Sequence, residues 1–137
     1  VAYYKISNVE GIGSAYAKKL RLAGIRSVHA LLKMAATRKG RADLAKATGI
    51  DESFILKWVN MADLYRVKGI GSEYSELLEK AGVDTVKELG NRNAENLWQE
   101  IKEVNSSGRP LVRQLPGLKR VKAWIKQAQK LDPKVTY

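Results

Sequence analysis

The stretch Val9-Glu-Gly-Ile-Gly-Ser-Ala-Tyr-Ala-Lys-Lys-Leu-Arg-Leu-Ala-Gly-Ile-Arg-Ser-Val-His-Ala-Leu31 recurs without a gap between Val67 and Leu89. Nearly half of the aligned positions are identical, among them Val9/Val67, Gly11/Gly69, Ile12/Ile70, Gly13/Gly71, Ser14/Ser72, Tyr16/Tyr74, Leu20/Leu78 and Gly24/Gly82. A weaker echo follows each copy, Ile55-Leu-Lys-Trp-Val-Asn-Met-Ala62 and Val121-Lys-Ala-Trp-Ile-Lys-Gln-Ala128. An internal repeat of this kind decides the architecture before any other signal. The chain reads as a single domain over 1–137, built from one pseudo-repeat over about 6–64 and another over about 65–131. Each half is small for a robust core of its own, so a core shared between them is expected.

The local signals are helical. Tyr16, Leu20 and Ala23 recur at i, i+4 and i+7, as do Tyr74, Leu78 and Ala81, which is the spacing of one helix face. Gly24 and Gly82 stand where a helix ends on a residue free to take positive φ. Thr85-Val-Lys-Glu88 has capping-box spacing for the helix that follows. Further helices are expected over 41–47, 51–64, 94–104 and 118–131. Asn105-Ser-Ser-Gly-Arg-Pro110 reads as a loop, because Pro110 and Pro116 break any helix there. The predicted fold class is all-α.

Composition narrows the function. The 137 residues carry 25 Lys plus Arg against 14 Asp plus Glu, a net charge of +11, with one histidine and no cysteine. Disulfides, iron–sulfur clusters and Cys-ligated zinc are excluded, and a reducing compartment, cytoplasmic or nucleoid-associated, is expected. His29 alone cannot build a multi-histidine metal site. No nucleophile–base pair or paired carboxylates stand out, so no catalytic residue is assigned and an enzyme is not expected. No apolar run is long enough for a membrane span, so no membrane partner is expected. The charge favours a polyanion partner, and it is unevenly spread. Residues 1–64 carry a net +6, residues 65–108 a net −2 and residues 109–137 a net +7.

Spacing separates the Gly-Ile-Gly turn from better-known phosphate binders. The dinucleotide fingerprint needs a third glycine where Tyr16 and Tyr74 stand, and neither copy has the Gly-Lys-Ser/Thr of a P-loop. What remains is a tight turn leading into a helix, with the isoleucine plugged into the core and the first helical N–H groups free to meet an anion.

These residues resemble a known motif. Val9-Glu-Gly-Ile-Gly-x-x-Tyr-Ala-x-x-Leu-x-x-Ala-Gly-Ile and its second copy are similar to helix-hairpin-helix motifs, in which the amides around the turn grip a DNA phosphate without reading bases. Ala-Thr-Arg-Lys-Gly-Arg at 36–41, Trp-Val-Asn-x-Ala-Asp at 58–63 and Val-Thr-Tyr at 135–137 extend the resemblance to a standalone two-repeat family of this type, catalogued as a domain of unknown function. The resemblance implies a compact pseudo-two-fold helical bundle that binds duplex DNA in preference to RNA. Some hairpins of that type hold a monovalent cation on their carbonyls, and Gly11 to Gly13 is where one would sit; no other cofactor and no metal site is implied. In a full motif a helix leads into the hairpin. Helix 51–64 does so for Gly69, while only ten residues precede Gly11, so helix 118–131 is expected to fold back to serve the first hairpin.

The candidate contacts follow. The first turn supplies Gly11, Ile12, Gly13 and Ser14, with Lys18, Lys19, Arg38, Lys39 and Arg41 as counter-charge. Lys68, Gly69, Ile70, Gly71 and Ser72 form a weaker second site, because Glu73, Glu76 and Glu79 line the helix after it. Lys119, Arg120, Lys122, Lys126 and Lys130 give helix 118–131 a basic face. Trp58, Trp98 and Trp124 fall on apolar faces, so packing is expected of them in preference to base stacking. The helix-turn-helix spacing of Ala45, Gly49 and Ile55 is not read as major-groove recognition, since Asp51, Glu52 and Ser53 open the second helix. The alternative to DNA binding is a protein–protein interaction or scaffold role without nucleic-acid contact, in which the acidic second turn meets a basic surface of another protein or of a second copy.

Overall fold

The computed structural model describes residues 5–9 and 11–137, so Glu10 of the first copy lies outside the described residues. A 3-10 turn, Ile6–Asn8, is followed by α1 (Ser14–Leu22), α2 (Val28–Ala35), α3 (Arg38–Thr48), α4 (Glu52–Leu64), α5 (Ser72–Lys80), α6 (Val86–Gly90), α7 (Ala94–Ser106) and α8 (Leu118–Ala128). The only extended pairing among the described residues is an isolated bridge between Lys5 and Ser27. The chain is all-α, as its periodicities predict.

Two compact units divide the chain: Val1–Asp63 together with Lys134–Tyr137, and Leu64–Pro133. The first copy of the repeat opens the first unit and the second copy opens the second. The same main-chain bonds recur in both. The Gly24 N–H donates to the Arg21 carbonyl at 3.0 Å and the Ile25 N–H to Leu20 at 2.9 Å; Gly82 donates to Glu79 at 3.0 Å and Val83 to Leu78 at 2.9 Å. This double closure is how a helix satisfies its last carbonyls when the chain turns away. The next helix then starts on a hydroxyl. Ser27 Oγ accepts from the Ala30 N–H at 3.0 Å and Thr85 Oγ1 from the Glu88 N–H at 3.4 Å.

In the second unit α8 packs on α6 and α7, and α5 on α7. Their apolar faces make one cluster that includes Leu77, Leu78, Val83, Leu97, Ile101, Val121 and Trp124. That cluster draws every member from between Leu64 and Leu131, where the sequence alone suggested one core shared by both halves. In the first unit Ile12, Leu20, Leu31, Ile55 and Trp58 are buried, and α2 packs on α3. Burying one such side chain contributes about 2 kcal/mol.

The partner of each turn differs from the expectation. Helix 118–128 serves the second turn from within its own unit: a Cβ on Gly69 would lie 3.3 Å from Trp124 Nε1. Helix 52–64 serves the first, where a Cβ on Gly11 would lie 3.5 Å from Trp58 Nε1. The leading helix that the first turn seemed to lack is therefore α4, which reaches it from the C-terminal side. The resemblance between the two Trp segments already contained that answer.

The segment 36–41 forms a tight corner. Thr37 Oγ1 caps α3 by accepting from the Gly40 N–H at 3.0 Å. A Cβ on Gly40 would overlap the Met34 carbonyl oxygen, so the close approach of α2 and α3 excludes any side chain there. Arg41, only 4% exposed, donates from Nη1 to the carbonyls of Ala35 at 3.1 Å and Ala36 at 2.9 Å. Its Nη2 donates to the Thr136 carbonyl at 2.5 Å. The Thr136 N–H returns a bond to the Ala36 carbonyl at 2.8 Å, and the Tyr137 hydroxyl donates to Asn60 Oδ1 at 3.1 Å. Residues 134–137 thus act as a strap on the first unit.

Candidate nucleic-acid interface

Each Gly-Ile-Gly turn is closed by one main-chain bond, Ile12 N–H to the Val9 carbonyl and Ile70 N–H to the Val67 carbonyl, both 3.1 Å. Gly11 and Gly69 hold φ at +89° and +92°, a left-handed conformation that disfavours any other residue. Ile12 and Ile70 are fully buried, as expected of the plug between the glycines. Gly11, Gly13 and Ser14 are exposed, and so are Lys68 and Gly69.

The helices entered from these turns are unusual in their caps. Side-chain oxygens cap α2 (Ser27), α3 (Thr37), α6 (Thr85) and α7 (Asn93). Asp51 Oδ1 does the same for α4 by accepting from the Ser53 N–H at 2.8 Å. The N-caps of α1 and α5 are Gly13 and Gly71, with no side-chain cap, and Gly117 of α8 is the third case. The first amides of α1 and α5 are consequently open to an outside acceptor, at the positive end of the helix dipole.

Behind each turn stands an aromatic platform. Tyr16 and Trp58 pack with ring centroids 5.1 Å apart, and Tyr74 and Trp124 with centroids 5.2 Å apart. Trp58 and Trp124 are buried, in line with packing roles. Trp98 is half-buried; it donates to the Pro116 carbonyl at 3.1 Å and carries Lys102 Nζ 3.7 Å above its ring. On the outer side of the first platform lies Phe54, nearly parallel to Trp58 at 6.1 Å and 18°. At the same place in the second lies Arg120, its Cζ 4.9 Å from the Tyr74 ring and 5.6 Å from the Trp124 ring. Arg120 Nη1 also donates to the Tyr74 hydroxyl at 3.3 Å, and its Nη2 would be 3.6 Å from a Cβ on Gly69.

The expected cations separate into groups. Lys18 and Lys19 are exposed on α1; Lys19 and Arg21 also stand in its last turn, where positive charge favours the helix. Arg38 and Lys39 are exposed. Lys39 Nζ pairs with Asp43 at 2.8 Å, and that bond raises the lysine's pKa and lowers the carboxylate's. Arg41 does not belong to this surface. Its guanidinium is turned inward onto three carbonyls, and burial pushes its pKa down against the pull of Tyr137 and Glu52. Lys119, Arg120, Lys122 and Lys126 are exposed on α8; Lys130, expected on the same helix, is exposed in the turn after α8 ends at Ala128.

The second turn is both less acidic and less open than its sequence suggests. Of its three glutamates only Glu73 is fully exposed, while Glu76 and Glu79 are half-buried. Gln127 Oε1 already accepts from the Lys68 N–H at 2.6 Å. No motif or spacing in the sequence marks Phe54 or Gln127. The Trp-segment echo starts at Ile55 and Val121, and the pair just before it, Phe54 and Arg120, shares position without sharing chemistry.

Among the described residues no group of three or more His, Asp or Glu side chains is placed to hold a metal ion. None of the helices described is long and apolar enough to cross a membrane. No solved structure matches the chain. A family model described as a domain of unknown function, DUF4332, matches residues 10–131. With nearly the whole sequence covered, the chain belongs to the DUF4332 family.

Proposed function

We propose that the chain is a non-enzymatic, sequence-independent DNA-binding protein whose two Gly-Ile-Gly turns act as helix-hairpin-helix elements. The observation that carries this reading is the missing cap. Five helices close their first turn with a side-chain oxygen, while α1 begins on an exposed glycine turn and α5 on a half-exposed one, each without such a cap and with its amides left to an external anion. A phosphodiester oxygen suits those donors, and duplex DNA supplies phosphates in a regular array. Gly11, Gly13 and Ser14 bind through the backbone, with Lys18, Lys19, Arg38 and Lys39 adding long-range attraction. In the second unit Arg120 stands against the turn and offsets Glu73, and the basic face of α8 gives that unit positive charge of its own.

The test is fluorescence anisotropy of labelled duplex DNA across a salt series. Contacts to a few phosphates give a log K versus log salt slope of about −0.9 for each. Binding that ignores salt, or no binding at micromolar protein and low salt, overturns the reading.

A further inference from the structure

Superimposing the two repeats in sequence brings Phe54 and Arg120 to one position, four residues before the buried tryptophan of each platform. The residues differ in every chemical respect except one: both end in a flat π surface. Each lies over the Trp–Tyr pair of its own unit, Phe54 against Trp58 and Tyr16 at centroid distances of 6.1 and 6.0 Å, and Arg120 at 5.6 Å from Trp124 and 4.9 Å from Tyr74. Both are exposed on the outer side, Phe54 to 45%. Phe54 packs one face on the Trp58–Tyr16 pair and Arg120 one face on the Trp124–Tyr74 pair, and in each case the remaining surface is left to solvent.

We infer that Phe54 and Arg120 are stacking plates for unpaired bases, and that each turn takes a single-stranded DNA segment, with a phosphate at the turn and its base on the plate. This rests on the DNA-binding reading and extends it from duplex phosphates to unpaired segments. Aromatic rings and guanidinium planes both stack on nucleobases, and such stacking tolerates any sequence because every base has a π face. The platform beneath supplies rigidity, since two packed rings fix the plate before the base arrives. Lys119 and Lys122, which flank Arg120 on α8, give that plate the positive surroundings a phosphate backbone requires, while around Phe54 Lys57 stands against Asp51 and Glu52, so that plate relies on stacking more than on charge. A duplex hides its base faces inside the stack and cannot use the plates.

The experiment compares a short oligothymidine with an abasic strand of equal length, which keeps the phosphates and removes the bases. The wild-type chain is expected to bind the oligothymidine about ten-fold more tightly than the abasic strand. Phe54→Leu keeps the apolar cover and Arg120→Lys keeps the charge, yet each removes a plane, and each reduces that preference; Phe54→Tyr retains it. Both positions are exposed, and each single variant is read on its own after its melting temperature is matched to wild type. Equal binding of the two strands overturns the stacking inference while leaving the salt-dependent duplex binding of the DNA reading intact. A base preference that survives in both single variants unchanged also overturns it. Failure of every nucleic acid to bind overturns both.

Discussion

The Arg41 guanidinium donates to the main-chain carbonyl of Thr136 across 95 positions of sequence, at 2.5 Å. It converts a residue of the basic cluster into a clasp for the strap. Arg41→Ala takes the guanidinium donor from the Ala35 and Thr136 carbonyls, leaves the Ala36 carbonyl with the Thr136 N–H alone, and loosens residues 134–137. A loss of about 3 kcal/mol is expected, since bonds from charged donors contribute about 1.5–3 kcal/mol and orphaned buried acceptors add to that. Thermal unfolding followed by circular dichroism should register it as a fall of roughly 10 °C. Arg38→Ala, one turn away and exposed, should leave the midpoint unmoved and lower only DNA affinity.

Gly40→Ala is a second test of the same corner. The added methyl has to displace the Met34 carbonyl, which is backbone and cannot swing aside. Overpacking of this kind destabilises by about 1–3 kcal/mol, even though alanine is the better helix former. A denaturant midpoint equal to or above that of the native chain would contradict the packing described.

Ser14→Glu separates stability from binding. A carboxylate at the start of α1 favours the open amides and the helix dipole, by about 0.5 kcal/mol. The melting temperature is therefore expected to stay level or rise. DNA affinity should fall several-fold, because the new charge occupies the anion position. Equal affinity for the variant would remove the α1 turn from the interface.

Asp51 gives the acid side of the stability curve a named contributor. Its carboxylate accepts from the Ser53 hydroxyl at 2.6 Å and the Ser53 N–H at 2.8 Å, and these bonds hold its pKa below the ordinary carboxylate range. A depressed folded-state pKa means the stabilisation is fully present above the unfolded-state value and disappears as pH falls through the folded one. Asp51→Asn should flatten that part of the curve in pH-dependent melts while leaving neutral pH less affected. An acid limb with the same slope in both proteins would contradict the assignment.

Much of this could be read from the residues themselves. The Gly-Ile-Gly copies, the closing glycines and the Ser27/Thr85 caps are local, so sequence spacing alone locates them. The buried role of Ile12, Ile70, Trp58 and Trp124 follows from apolar periodicity. The inward turn of Arg41 is not legible in Arg-Lys-Gly-Arg, which does not say which basic residue faces the interior; that depends on carbonyls left open at the end of α2 and on a strap almost a hundred residues away. The partner of the first turn is hidden for a related reason. A helix that follows a turn in sequence can cover it as well as one that precedes it, and only the Trp58–Gly11 approach shows which does. Phe54 leaves no trace in a comparison by identity, which ignores positions where two repeats share a place and differ in kind.

The strap also sets an order of assembly. The second unit is one unbroken run, Leu64–Pro133, while the first needs both Val1–Asp63 and Lys134–Tyr137. A chain emerging from the ribosome therefore presents every residue of the second unit before the first can be closed. The unit made first is finished last, and until Thr136 arrives Arg41 waits with one of its acceptors not yet synthesised.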